Sequence, residues 1–184
     1  MIDKLTLITG NEGKAREYAA MLGIEVLPVE IPLLEIQSLD PVEVVQTKVA
    51  DAYAKLGSPV LVDDTGLRIA EWNGLPGALV SWFLQSVGPR GILTMASGIR
   101  DRRATVTTAL GYADADGIQV FTGSLEGTLT TEIRGSGGFG YDSIFLPDGG
   151  DKTFAEMTGA EKNEVSHRRR AVEAMQVGLA LIAN

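Results

Sequence analysis

The chain has 184 residues, 45% hydrophobic and 22% charged, and a formal charge of −8 from 24 acidic against 16 Lys and Arg side chains. Such acidity argues against binding nucleic-acid polymers, which needs a basic surface, although a few converging cations or a divalent metal still suit a small phosphorylated ligand. With no cysteine and one histidine, disulfides, thiolate chemistry and His-rich zinc sites are excluded.

The apolar run over 4–10 predicts a buried strand, and the stretch to Gly23 a helix with Ala15, Tyr18, Ala19 and Leu22 on one face. Gly23 suits the position that ends a helix. Residues 24–32 read as extended, with Pro28 pointing to a sheet edge. Asp40, Pro41 and Glu43 open the clearest helix, as cap, first helical residue and capping-box partner, and it continues to Gly57. Residues 59–64, PVLVDD, read as a central strand ending in two carboxylates. Helices are expected over 78–88 and, shorter, within 90–98. The period then changes to two: 103–113 and 118–129 alternate as strands around Asp114-Ala115-Asp116-Gly117, a hairpin signal. A glycine-rich loop, 134–145, precedes the last helical region, opened by the capping-box pattern Thr158-Gly159-Ala160-Glu161 and finished by an apolar helix over 171–184. The expectation is one α/β domain, 1–184, with its ligand at strand ends and in the crevice between layers. The N-terminus lacks the features of a signal peptide and no apolar run reaches membrane-spanning length, so a cytoplasmic protein without membrane attachment is expected.

Thr9-Gly10-Asn11-Glu12-Gly13-Lys14 forms a strand-to-helix turn, where free backbone N–H groups and the helix N-terminus favour an anion and Lys14 adds a mobile charge. It is not a Walker loop: only Asn11 and Glu12 separate Gly10 from Gly13, and Ala15 follows Lys14. Taken alone, it is equally a glycine-containing connector with a surface lysine. Asp63 and Asp64, at consecutive strand positions, point to opposite sides. One is then free to face a crevice, where an Asp suits Mg²⁺; the bland alternative is a polar strand end with Asp64 capping a turn through Thr65 and Gly66. Glu35, in an otherwise apolar stretch, is a second candidate ligand or a solvent-facing position. Lys48 on its helix reads, alone, as a solvated lysine.

Phe139, Gly140, Tyr141 and Asp142 place aromatics on a flexible loop, which suits stacking on a base with Asp142 or backbone groups at its edge. The competing role is to anchor the loop in the core. Lys162, His167 and Arg168–Arg170 concentrate cations in an acidic chain, and an arginine fork suits a phosphate or a purine carbonyl. Helical residues fan around their axis. Lys162 and Ser166 therefore share a face, His167 and Arg168 join them only if the helix bends or the site wraps around it, and Arg169 is expected to pair with a carboxylate at the surface.

Six segments in order, TGNEGK, VLVDDTGL, NGLPG, GFGYDSIF, TFAEM and EKNEVSHRRRA, run nearly the length of the chain and resemble the inosine triphosphate pyrophosphatase family. The resemblance implies a long central mixed β-sheet with helices, two lobes flanking a nucleotide cleft, and assembly as a homodimer. It implies Mg²⁺-dependent hydrolysis of ITP, dITP and XTP to the monophosphate and pyrophosphate. Carried over by motif, Thr9 to Lys14 hold phosphates, Lys48 and Lys162 contribute charge, and Glu35 with Asp64 hold Mg²⁺. Asp64 also matches the general base, Asp63 a supporting residue behind it, and Thr65 a further substrate contact. Phe139 to Asp142 match the base loop, His167 and Arg168 the residues near the purine 6-keto group, and Ser166 is a further candidate for substrate binding. Two departures stand out: no basic residue follows LPG before Arg90, and Ser143 stands where proline is frequent. A Maf-like pyrophosphatase for pyrimidine or modified nucleotides, and a nucleotide sensor without turnover, are the competing functions. The SHRRRA and TGNEGK wording speaks against the first, and retention of both Glu35 and Asp64 against the second.

Overall fold

The computed structural model describes residues 4–182. Strand β1 (Lys4–Ile8) leads into helix α1 (Glu12–Leu22), then β2 (Glu25–Val29), α2 (Pro41–Leu56) and β3 (Val60–Ile69). A two-residue β4 (Pro76–Gly77) precedes helices α3 (Val80–Ser86) and α4 (Gly88–Met95). The long hairpin β5 (Arg103–Asp114) and β6 (Gly117–Leu129) follows, then β7 (Phe145–Pro147), α5 (Gly159–Val165) and α6 (His167–Ile182). The expected C-terminal helix thus runs through Ile182, and residues 183 and 184 lie outside the described residues.

The strands form one mixed sheet in the order β2-β1-β3-β5-β6-β7, with β4 added to β3. β1 pairs parallel with β2 and β3, and the rest of the sheet is antiparallel. Pro28 does sit on the edge strand, where its missing N–H costs no ladder bond. On one face Tyr18 and Met21 of α1 and Val172 and Met175 of α6 pack on Leu5, Leu7, Leu61, Leu110 and Tyr112. On the other, Val45, Val49 and Ala52 of α2 cover Val60, Val62 and Ala109. A third cluster, at the far end of β3 and β5, joins Leu67, Ile69 and Val106 to Val80, Ile92, Ile144, Phe145 and Phe154. Each large aliphatic or aromatic side chain buried this way contributes about 1.5–3 kcal/mol. β3 and β5 therefore run out of one packed region into another, and the chemistry-bearing residues collect beside β3 at Asp64 and Thr65, where the two regions meet.

Two local expectations are corrected. The strand does not end at the carboxylates: β3 continues to Ile69, because Leu67 and Ile69 pair with Val106 and Ala104 and fill the third cluster. Asp63 and Asp64 are mid-strand, which enforces their opposite orientations. At α2, Asp40 caps by accepting from Val42 N–H at 2.9 Å, but Glu43 does not close a capping box. It accepts instead from the Ser38 hydroxyl (2.6 Å), which itself accepts from Asp40 N–H. The box at Thr158 and Glu161 forms as expected.

Candidate functional site

β1 ends at Ile8, and the turn into α1 is held by its own side chains. Thr9 Oγ1 accepts from Asn11 N–H (3.0 Å) and Asn11 Oδ1 from Lys14 N–H (3.2 Å). That capping leaves the start of α1 open toward a cavity of about 590 Å³, lined by Thr9, Gly10, Asn11 and Lys14. Lys14 Nζ lies 2.9 Å from Asp63 Oδ1, while Tyr18 donates to Asp63 Oδ2 (3.2 Å) and Arg168 stands 3.6 Å from it. Burial alone would raise the Asp63 pKa; the Lys14 and Arg168 charges more than offset it and hold it at about 2. Asp63 is thus a permanently ionised anchor behind the cavity.

Asp64 faces α2. There Lys48 Nζ lies 2.8 Å from Glu35 Oε1, 3.4 Å from Asp64 Oδ1 and 3.5 Å from the Asp63 carbonyl. Burial pushes Asp64 up to about 6 against the pull of Lys48 and Lys14, and Asp63 and Glu35 add to the rise. Its Oδ2 is buried without a partner. Two successive carboxylates therefore differ in pKa by their surroundings alone, the kind of separation that assigns acid and base roles.

A further wall of the cavity is built from the glycine-rich loop and the α5–α6 junction. Gly138, at φ 69°, has no room for a Cβ, which would overlap the Asp142 carboxylate. Asp142 Oδ2 accepts from Phe139 N–H (2.8 Å) and Lys162 Nζ (2.6 Å). The Lys162 ammonium lies 4.4 Å from the Phe139 ring centroid, and that ring also packs on Gly13. Tyr141 is buried in the third cluster, and its hydroxyl meets His167 Nε2 at 3.0 Å. His167 is held neutral, its pKa well below the usual histidine value, first by burial and then by the Arg168 and Lys162 charges.

The condition that the helix must bend is met. Ser166 breaks it, with ψ at 156°, and its hydroxyl caps α6 by accepting from Arg169 N–H (3.2 Å). At Gly123 a Cβ would overlap the backbone of His167 and Ala171, so glycine in β6 lets the start of α6 lie directly on the sheet. Lys162 and Arg168 then converge on Glu17, and His167 and Arg168 both line the cavity. Burial opposes the Arg168 charge, but Tyr18, Glu17 and Asp63 more than compensate. Arg169 pairs with Glu173 at the surface, as anticipated.

Of the expected site residues, Thr9, Gly10, Asn11, Lys14, Glu35, Lys48, Asp64, Thr65, Phe139, Gly140, Tyr141, Asp142, His167 and Arg168 share this one cavity. Four lie differently. Glu12 points to solvent beside Arg16, because it is the first residue of α1 and faces away from the sheet. Gly13 lies under Phe139. Ser166 is buried as a cap, and Lys162 is locked between Glu17 and Asp142 beneath Phe139. Sequence reasoning missed Glu17 and Tyr18, although both sit three and four residues after Lys14 on the same helix face. It also missed Glu30 and the wall from α3, where Ser81, Leu84 and Gln85 stand in the segment that lacks a basic residue.

The sequence model of the Ham1 family matches residues 5–177. The chain is 42% identical over 182 residues to "Inosine triphosphate pyrophosphatase 2" of Trypanosoma cruzi, covering 97% of this chain and 93% of that protein. It is 39% identical over 172 residues to the "dITP/XTP pyrophosphatase" of Thermococcus kodakarensis, covering 92% and 93%. The solved structure of the Staphylococcus aureus Ham1 protein superposes with a TM-score of 0.84 at 26% identity, over 96% of this chain and 98% of that one. With a sequence and a fold that agree over almost its whole length, the chain belongs to the Ham1 family.

Proposed function

We infer that this chain hydrolyses aberrant purine nucleoside triphosphates, ITP, dITP and XTP, to the monophosphate and pyrophosphate. The observation that carries the reading is one cavity with an anion-binding turn, two lysines and a carboxylate pair at one end and aromatic and donor groups at the other. The relatives' names supply the substrate class, and the unpartnered groups supply a physical reason for it. Arg168 Nε is buried without an acceptor, and Arg168 lines the cavity. A 6-keto oxygen accepts from such a donor, whereas the 6-amino group of adenine presents hydrogens to it.

Mg²⁺, implied by the family resemblance, fits the residues present. Lys48 touches both Glu35 and Asp64, so the two carboxylates are spaced to share a cation, and Asp64 Oδ2 has no partner. Among the described residues no group of three or more metal-type side chains gathers, so these two carboxylates are the ligands offered, with water and phosphate left to complete the shell. When bound, the metal offsets triphosphate charge. Asp64, near pH 6, is placed to take the proton of the attacking water as the α–β anhydride opens. Lys14 and Lys48 each have a mobile ammonium to transfer from carboxylate to phosphate, and the α1 N-terminus adds backbone donors. Lys162, held with Asp142 under Phe139, supports the base loop rather than the phosphates.

A panel of ITP, dITP, XTP, ATP, GTP, UTP and dTTP, assayed for pyrophosphate with and without Mg²⁺, tests this. Pyrophosphate from the first three, lost by roughly 10²–10⁴-fold in Asp64→Asn, is expected. Orthophosphate and a diphosphate as products would overturn it. Homodimerisation is part of the same proposal, supported by exposed apolar side chains such as Trp82 (62%) and Leu75 (42%); sedimentation at micromolar concentration checks it. Among the described residues no helix is long and apolar enough to cross a membrane.

A further inference from the structure

Lys48 is presented by a fixed support. α2 is capped at both ends, and Val44, Val45 and Val49 on either side of Lys48 in sequence are buried against the sheet. The Lys48 side chain is only 16% exposed, and its three neighbours, Glu35 Oε1, Asp64 Oδ1 and the Asp63 carbonyl, are the oxygen types that a hard divalent cation takes. Lys14 is engaged elsewhere, on Asp63 Oδ1, the carboxylate that points to the opposite side of β3. The ammonium between Glu35 and Asp64 relieves their mutual repulsion, so a second cation arriving there gains little and meets a like charge.

We propose that Lys48 is the resident counter-cation of the metal site, competing with the divalent ion for Glu35 and Asp64 until a triphosphate draws its ammonium away. This rests on the function inferred above and adds an order to it. Metal and nucleotide are thermodynamically linked: each raises the affinity of the other by the same factor. Without nucleotide the ammonium occupies the carboxylate pair, offsetting part of its charge, and metal binding stays weak. With nucleotide, the lysine exchanges two carboxylates for phosphate oxygens, and the vacated carboxylates accept the metal.

The test uses Mn²⁺ as probe, with the free ion followed by electron paramagnetic resonance, on the full metal-stripped chain. Binding is measured alone and with an ITP analogue whose α–β bridge is a methylene. For the wild type, the analogue is expected to tighten Mn²⁺ binding by on the order of tenfold or more. Lys48→Met and Lys48→Gln should bind Mn²⁺ at least about tenfold more tightly than wild type without nucleotide, and the gain from the analogue should shrink. Lys14→Met removes the same charge from the same cavity and should raise nucleotide-free affinity far less. Adding Glu35→Gln to Lys48→Met should return binding to the weak level. If both Lys48 variants bind no more tightly than wild type, or Lys14→Met gains as much, the competition is overturned. ITP turnover by the wild type with that result leaves the inferred function standing. Tight Mn²⁺ binding by the Lys48 variants in a chain without ITP turnover sinks the function and keeps the competition.

Discussion

At the aromatic end of the cavity, Asp142 Oδ2 accepts from both Phe139 N–H and Lys162, Lys162 also meets Glu17, and Glu17 meets Arg168. At the carboxylate end, Glu35 is 57% exposed, Asp64 keeps one buried oxygen unpartnered, and a single ammonium serves both. The first is a closed network of buried charges, 5% exposed at both Lys162 and Asp142. The second is left short of positive charge. A region that must recognise a shape is assembled before the ligand arrives, whereas a region that must accept charge is completed by it. Substitutions at the two ends should therefore move stability in opposite directions.

The largest effect is expected at the closed network. Lys162→Met leaves Asp142 and Glu17 buried without their shared cation and should cost about 3–5 kcal/mol in urea unfolding. A loss below about 1 kcal/mol would mean that the network is not closed in solution. Asp64→Asn should do the reverse in metal-free protein. The folded-state pKa of about 6 lies above the ordinary 3.8, so between these values the native state binds more protons than the unfolded one. Stability then falls as pH rises from about 4 to about 6, and the deficit persists at pH 7. Replacing the carboxylate removes it, a gain of about 3 kcal/mol at pH 7 that vanishes at pH 3.5. An Asn variant less stable than wild type at pH 7 would break the comparison.

The same contrast marks what was legible beforehand. Periodicity located α1, α2 and the β5–β6 hairpin because each buries one regular face, and Gly23, Asp40 and Thr158 stated their caps outright. The extent of β3 was not legible: Asp63 and Asp64 look like a terminus until Leu67 and Ile69 are seen filling a second apolar cluster. At the carboxylate end only Asp64 was legible from its own setting, as an acidic residue closing an apolar run; Glu35 and Lys48, which alone read as solvent-facing, entered through the family resemblance. The roles of Lys162, Ser166 and Tyr141 depend on what packs over them, and only the break at Ser166 brings Lys162 and Arg168 onto Glu17. Glu17 had no signal beyond its spacing from Lys14.

Two smaller effects sharpen the comparison. His167 is buried neutral, with its pKa depressed below the ordinary 6.5 by burial and by Arg168. The unfolded chain therefore binds a proton that the native state refuses. The stability present above pH 6.5 is lost as pH falls below it, at up to about 1.4 kcal/mol per pH unit. His167→Gln should flatten that segment between pH 6.5 and 5; an unchanged slope would show that the imidazole titrates freely. Ser143→Pro probes the loop itself and should be smallest. Among the described residues the Ser143 carbonyl accepts from Arg134 N–H (2.9 Å), while its own N–H makes no recorded hydrogen bond. Proline there removes no bond and narrows the unfolded ensemble, so a gain of about 0.4–1 kcal/mol is expected in urea unfolding. A loss of more than about 1 kcal/mol, with a lower preference for ITP over ATP, would mean that Ser143 holds Asp142 in a conformation proline forbids, tying the aromatic end's recognition to this one position.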